Sequence, residues 1–228
     1  MSRAKILVAI SVLSIIFCGC GKKTEYKNKK LAQTYYKLCM LELSQSADKN
    51  INPQMLYRKA LEYIQDALRY DSSAECLAVK ATLLFRLGDF EQSRNNFLEA
   101  LKRESSPKLH ASILNNYACL SAQIGDVDKA LSIFNKLEKD NDYFTPQAAV
   151  FNKGKIFFEK QDYKQAISEF SRAVRLAPEY IDAHYFLALS ALRLKNISLA
   201  KKELEAVLFL EPDHREAIMM SDKLGLTK

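Results

Sequence analysis

The 228-residue chain reads as an all-α solenoid, about five helix-turn-helix units closed by a short C-terminal capping helix. Three observations predict it. A pattern of side-chain sizes recurs in 34-residue units, some separated by small insertions, along most of the chain, the mark of a stacked repeat. Helix stops and starts, as Gly-Asp pairs and prolines, fall at fixed places in that period. No strand-like alternation of apolar and polar residues interrupts it, and no long Gly/Ser/Pro linker divides it.

The period is clearest late in the chain. "QDYKQAISEFSRAVRLAPEY" at 161–180 places Tyr163, Ala166, Phe170, Ala173 and Pro178 in order. A shift of 34 residues to "KNISLAKKELEAVLFLEPDH" puts Ile197, Ala200, Leu204, Val207 and Pro212 in the same places. Upstream, Phe90, Ser93, Phe97 and Ala100 repeat the pattern, as do Val127, Ala130, Phe134 and Leu137. Before each set lies another helical segment with its own small residue: Ala81, Ala118, Gly154 or Ala188. Small residues let two helices cross closely while large neighbours fill the space beside them. Gly88 and Gly125 stand where a helix ends in a left-handed residue, and Asp89 and Asp126 cap the helix that follows. Pro178 and Pro212 stop the second helix of their units.

These spacings resemble the tetratricopeptide repeat, and the resemblance implies a right-handed superhelix. Four units follow in register: Ala74–Pro107, Ala111–Phe144, Gln147–Tyr180 and Ile181–His214, with small insertions at 108–110 and 145–146. A degenerate unit spans 31–73. Its second helix is "LYRKALEYIQDALRYD", with Ala60, Ile64, Ala67 and Leu68 in the expected places after an Asn52-Pro53 start. Its first helix is expected at about Tyr26 to Ser46. Residues 215–228 form the cap that the last unit of a solenoid requires.

The first 19 residues read as a secretory signal. Arg3 and Lys5 precede an apolar run from Ile6 to Phe17, and Gly19 stands directly before Cys20. The run is shorter than the roughly 20 residues that a membrane-spanning helix needs. "FCGC" resembles the lipobox of bacterial lipoproteins, with Phe17 where that family usually has Leu. The resemblance implies cleavage before Cys20 and a covalent lipid, such as palmitate, on it. The absence of Asp after Cys20 implies the periplasmic side of the outer membrane. Residues 20–30, "CGKKTEYKNKK", would then be a lipidated basic tether near anionic headgroups. The alternative is an ordinary cleaved signal with an incidental cysteine.

Little in the chain points to chemistry. The mature chain would carry 32 basic and 27 acidic side chains, spread out and with no nucleic-acid motif. His110, His184 and His214 have no His or Cys partner at metal-ligand spacing, and His184 reads as a packed core residue. No phosphate-cradling Gly loop or nucleophile elbow is present. Neither catalysis, a cofactor, a metal nor a small-molecule substrate is expected. Cys39, Cys76 and Cys119 are expected as free, mostly buried thiols. Cys76 and Cys119 sit six residues out of register, too far apart for the roughly 4.4–6.8 Å that a disulfide spans between Cα atoms.

The repeat's resemblance implies a partner surface on the concave face, formed by the first helix of each unit. The matching positions hold Phe85 and Arg86, then Asn115, Cys119 and Gln123. Next come Phe151, Lys155, Phe158 and Glu159, and finally Tyr185, Leu189, Leu192 and Arg193. So apolar a set fits an extended or hydrophobic polypeptide segment. The competing expectation is that superhelical packing, or the cap, covers part of it.

A narrower resemblance lies in "LNNYACLSAQIGDVDKALSIFNKL" at 114–137 and "NDYFTPQAAVFNKGKIFFEKQDYKQAISEFSRAV" at 141–174. The stretch is similar to the PilF/PilW family of type IV pilus lipoproteins, through Asn115, Asn116, Tyr117, Asn152 and Gly154. It departs at Ala118 and Gln161, where that family commonly has glycine. The resemblance implies a pilotin, which helps the secretin pore reach the outer membrane and multimerise. The partner would be a secretin or another envelope subunit. A general envelope adaptor, recruiting peptidoglycan enzymes or outer-membrane assembly components, is the alternative.

Overall fold

The computed structural model describes residues 21–47 and 51–225. Among them are eleven α-helices, a short 3-10 helix and no strand. They divide into two compact units, Met1–Leu120 and Ser121–Lys228. The first holds α1 (Gly21–Leu43), the 3-10 helix (Ser44–Ala47), α2 (Pro53–Leu68), α3 (Ala74–Leu87), α4 (Phe90–Lys102) and most of α5 (Pro107–Gln123). The second holds α6 (Val127–Leu137), α7 (Pro146–Glu159), α8 (Tyr163–Leu176), α9 (Ile181–Arg193), α10 (Ile197–Leu210) and α11 (Arg215–Lys223).

The period becomes packing in both units. Phe97, Phe134, Phe170 and Leu204 share one place in the repeat, and all four are fully buried. So are the small residues Ser93, Ala130, Ala166 and Ala200. Ser93 stands where the other units have alanine. Its buried hydroxyl donates to the Ala81 carbonyl at 2.7 Å, so the polar atom is satisfied. In the second unit, Phe170 lies against Gly154, leaving no room there for a side chain.

Turn chemistry is equally regular. Gly88 and Gly125 adopt φ of +86° and +88°. The same place in the next two units is held by Gln161 and Lys195, also left-handed at φ of +62° and +59°. The stop is thus a property of the repeat even where glycine is absent. Asp89, Asp162 and Asn196 then cap the following helices through their side chains, while Asp126 pairs with Lys129 at 3.2 Å. Ala177 and Glu211, each before a proline, are extended and end α8 and α10.

Two expected boundaries move. Residues 21–30 of the expected tether are helical, because nothing after Gly21 breaks the helix before Leu43. Lysines have good helix propensity, and Glu25 and Lys29 have favourable spacing. Residues 108–110, expected as an insertion, form the first turn of α5. The Ser106 hydroxyl accepts from the Leu109 N–H at 3.3 Å and so opens that helix early. The expected signal segment and Cys20 lie outside the described residues.

A buried ionic cluster ties three helices of the second unit. Lys153 on α7 reaches Glu138, just past α6, at 3.1 Å and Glu169 on α8 at 3.6 Å. Arg172 binds Glu169 at 2.7 Å and also contacts Glu138. Glu203 occupies the place of Glu169 one repeat later and lies 2.6 Å from His184 Nδ1. The other ring nitrogen of His184 donates to the Pro178 carbonyl at 2.9 Å. That histidine is a packed core residue.

Candidate functional site

The first unit opens a groove of about 420 Å³ between α1, α3 and α5. Tyr36, Met40 and Leu43 form the α1 wall, and Leu109, Ser112 and Ile113 the α5 wall. Between them runs α3, which contributes Glu75, Ala78, Val79, Thr82 and Arg86. The α3 residues follow from helical geometry, since positions three and four apart share a face.

The groove is apolar with charged ends. The Tyr36 hydroxyl donates to Glu75 at 2.9 Å. Burial pushes the Tyr36 phenol up, and the bond to Glu75 adds to it, so the group stays a neutral donor. The Thr82 hydroxyl donates to the Ala78 carbonyl at 2.9 Å, and Ser112 to the Lys108 carbonyl at 3.0 Å. Both hydroxyls therefore turn back onto their own helices. Arg86 is exposed at the far end of α3, and its backbone carbonyl accepts from Gln54 at 3.5 Å.

The residues expected from the sequence are distributed unevenly. Arg86 lines the groove. Phe85 instead packs half-buried on Phe90, with ring centroids 6.0 Å apart. Asn115 is half-buried and donates to Asn116 at 3.3 Å, and it is Asn116 that lines the groove. Cys119 is half-buried and Gln123 exposed.

In the second unit the expected apolar stripe is largely filled from within. Phe151 is only 7% exposed, a core residue rather than an open surface. The cause is Phe186, whose ring meets Phe151, Phe158 and Phe170, each at 5.6 Å. Phe158 also packs edge-on to Tyr163, and Lys155 lies over Phe186 at 5.8 Å. Tyr185 packs on His214 at 5.0 Å, and Leu189 and Leu192 are half-buried. Glu159 and Arg193 are exposed. Tyr36, Met40 and Leu43 escaped the sequence reading because α1 has no indexed place in the repeat. Glu75, Ala78 and Thr82 carried a signal, being in register on the same helical face as Arg86.

Among the described residues no group of His, Cys, Asp and Glu could hold a metal ion. No described helix is long and apolar enough to cross a membrane.

Two family models described as "Tetratricopeptide repeat" match the sequence, one at residues 157–223 and one at 78–149 and 122–181. The chain is built of tetratricopeptide repeats. Such repeats generally serve as non-catalytic scaffolds for protein interaction, in keeping with a groove that offers apolar walls. The BBSome complex member BBS4 homolog of Drosophila melanogaster is 28% identical over 175 residues, 75% of this chain. The chain spans 34% of that relative's length. The crystal structure of PilW, described as a widely conserved type IV pilus biogenesis factor, matches with a TM-score of 0.69 at 20% identity. That match covers 86% of this chain and 87% of PilW. PilF of Pseudomonas aeruginosa matches with a TM-score of 0.67 at 16% identity, over 87% of this chain and 84% of PilF. Both are likenesses of fold.

Proposed function

We propose that the chain is a lipid-anchored scaffold on the periplasmic side of the outer membrane, and that it assists type IV pilus biogenesis by holding a secretin subunit during its localisation or multimerisation. The observation that carries this reading is the likeness in fold to PilW and PilF, over 86% and 87% of this chain. The "FCGC" stretch before Gly21 supports it, since two or more acyl chains at Cys20 would hold the protein stably at a bilayer. The tetratricopeptide framework supplies the binding surface, and the groove of the first unit is an apolar part of it.

Labelling with a palmitate analogue tests the anchor. Wild type should carry label in the outer-membrane fraction, and Cys20→Ala should carry none and leave that fraction. Deleting the gene tests the role: secretin multimers and surface pili should both fall. Unlabelled protein in the soluble fraction, with multimers and pili intact after deletion, would contradict the proposal. Ala118 and Gln161, where the pilus family commonly has glycine, favour the general envelope adaptor as the second reading. Deletion that alters cell shape while sparing pili would select it.

A further inference from the structure

We infer that the groove of the first unit takes an extended polypeptide segment of about five residues, apolar in its middle and carrying a carboxylate that seats on Arg86. This rests on the reading of the chain as a protein-binding scaffold and names the chemistry of the segment. Glu75 and Arg86 mark the two ends of the groove on α3, eleven residues apart. That separation is about 16 Å along a helix, the span of about five extended residues.

The polar groups along the groove are mostly spent. Thr82 and Ser112 bond to their own helices. Glu75 accepts from Tyr36, and the Asn116 oxygen accepts from Asn115. The guanidinium of Arg86 is different. Among the described residues no carboxylate pairs with it, while Gln54 binds only its backbone carbonyl and so steadies that end of the groove. The planar guanidinium of an exposed arginine that lines an apolar trough matches a carboxylate in two-point geometry. A cationic side chain there would meet like charge, which costs binding.

The walls suit a segment rather than one fixed side chain. Met40 is 43% exposed over the groove, and a flexible thioether adapts to varied apolar shapes. Leu43, Val79 and Leu109 extend the same surface along the trough, with buried Ile113 beneath.

The test uses the mature lipidated protein in nanodiscs and two blocked peptides, acetyl-Ala-Leu-Val-Leu-Glu-amide and the same peptide ending in Lys. Fluorescence anisotropy should give roughly tenfold tighter binding for the Glu peptide, in line with a charge-assisted hydrogen bond. Arg86→Glu should reverse the order, and Arg175→Glu, on exposed α8 surface of the second unit, should change neither affinity. Equal binding of the two peptides overturns the inference. So does an Arg86→Glu variant that weakens both alike, or displacement of the Glu peptide by micromolar oleate, which would mark a fatty-acid site. Loss of pili on deletion with equal peptide binding would leave the scaffold reading standing and remove only the carboxylate. The carboxylate preference with pili intact would do the opposite.

Discussion

A Cβ added to Gly154 would stand 2.6 Å from the ring of Phe170. Ala81, Ala118 and Ala188 hold this place in the other three units in register, so the contact sets how closely α7 and α8 approach. Gly154→Ala should destabilise the protein by about 1–3 kcal/mol, the usual cost of overpacking a core. Phe170→Leu in the same chain should recover part of the loss. Urea denaturation of the wild type and the two variants checks this, and an unchanged midpoint for Gly154→Ala would contradict the packing.

Gln161 and Lys195 hold a left-handed backbone that glycine adopts freely. Replacing either with glycine should raise stability by about 0.5–1 kcal/mol, the relief of Cβ strain exceeding the entropy that glycine loses. Gly88→Ala should lower it, although no atom lies within 4 Å of the added carbon. Thermal melts of the three single variants decide, and the sign of each is the test.

Lys153 is the buried cation between Glu138 and Glu169. Lys153→Ala leaves two carboxylates with Arg172 as their remaining partner. The expected loss is about 2–3 kcal/mol, below the 3–5 typical of breaking an isolated buried pair. A triple variant with Glu138→Gln and Glu169→Gln should be less destabilised than Lys153→Ala alone. A triple variant that is worse than the single would contradict this account.

The buried thiols predict a loss of stability in base. Burial pushes Cys39 from its ordinary 9.0 up to about 12, and Cys76 up as well. The folded state therefore holds these protons more tightly than the unfolded chain. Their contribution is complete below pH 9 and is lost as pH rises from 9 towards 12. Alkylation at pH 8 with peptide mapping should modify half-buried Cys119 first, and Cys39 and Cys76 only after denaturant is added. Early labelling of Cys39 would overturn the burial.

The fold was legible because size and turn chemistry recur together. Phe97, Phe134 and Phe170 could be aligned with Leu204 before any coordinate, and Pro178 and Pro212 set the ends of their helices. The start of α5 was not legible, since Ser106 reads as a loop residue until its hydroxyl is seen opening a helix. Of the residues that line the groove, the expected partner surface included only Arg86. A repeat register says which positions face a partner, but not which neighbour fills the space above them. Phe151 satisfied the rule and was covered by Phe186. Met40 and Tyr36 sit on a helix too degenerate to index, so no rule reached them.

Photo-crosslinking in living cells would show which segment the groove holds. A benzophenone residue in place of Thr82, in the groove, is compared with one in place of exposed Glu91, on α4. Position 82 should crosslink to an apolar, acid-bearing segment of an outer-membrane pore subunit, and position 91 should not. Crosslinks from 91 alone, or equal ones from both, would contradict this.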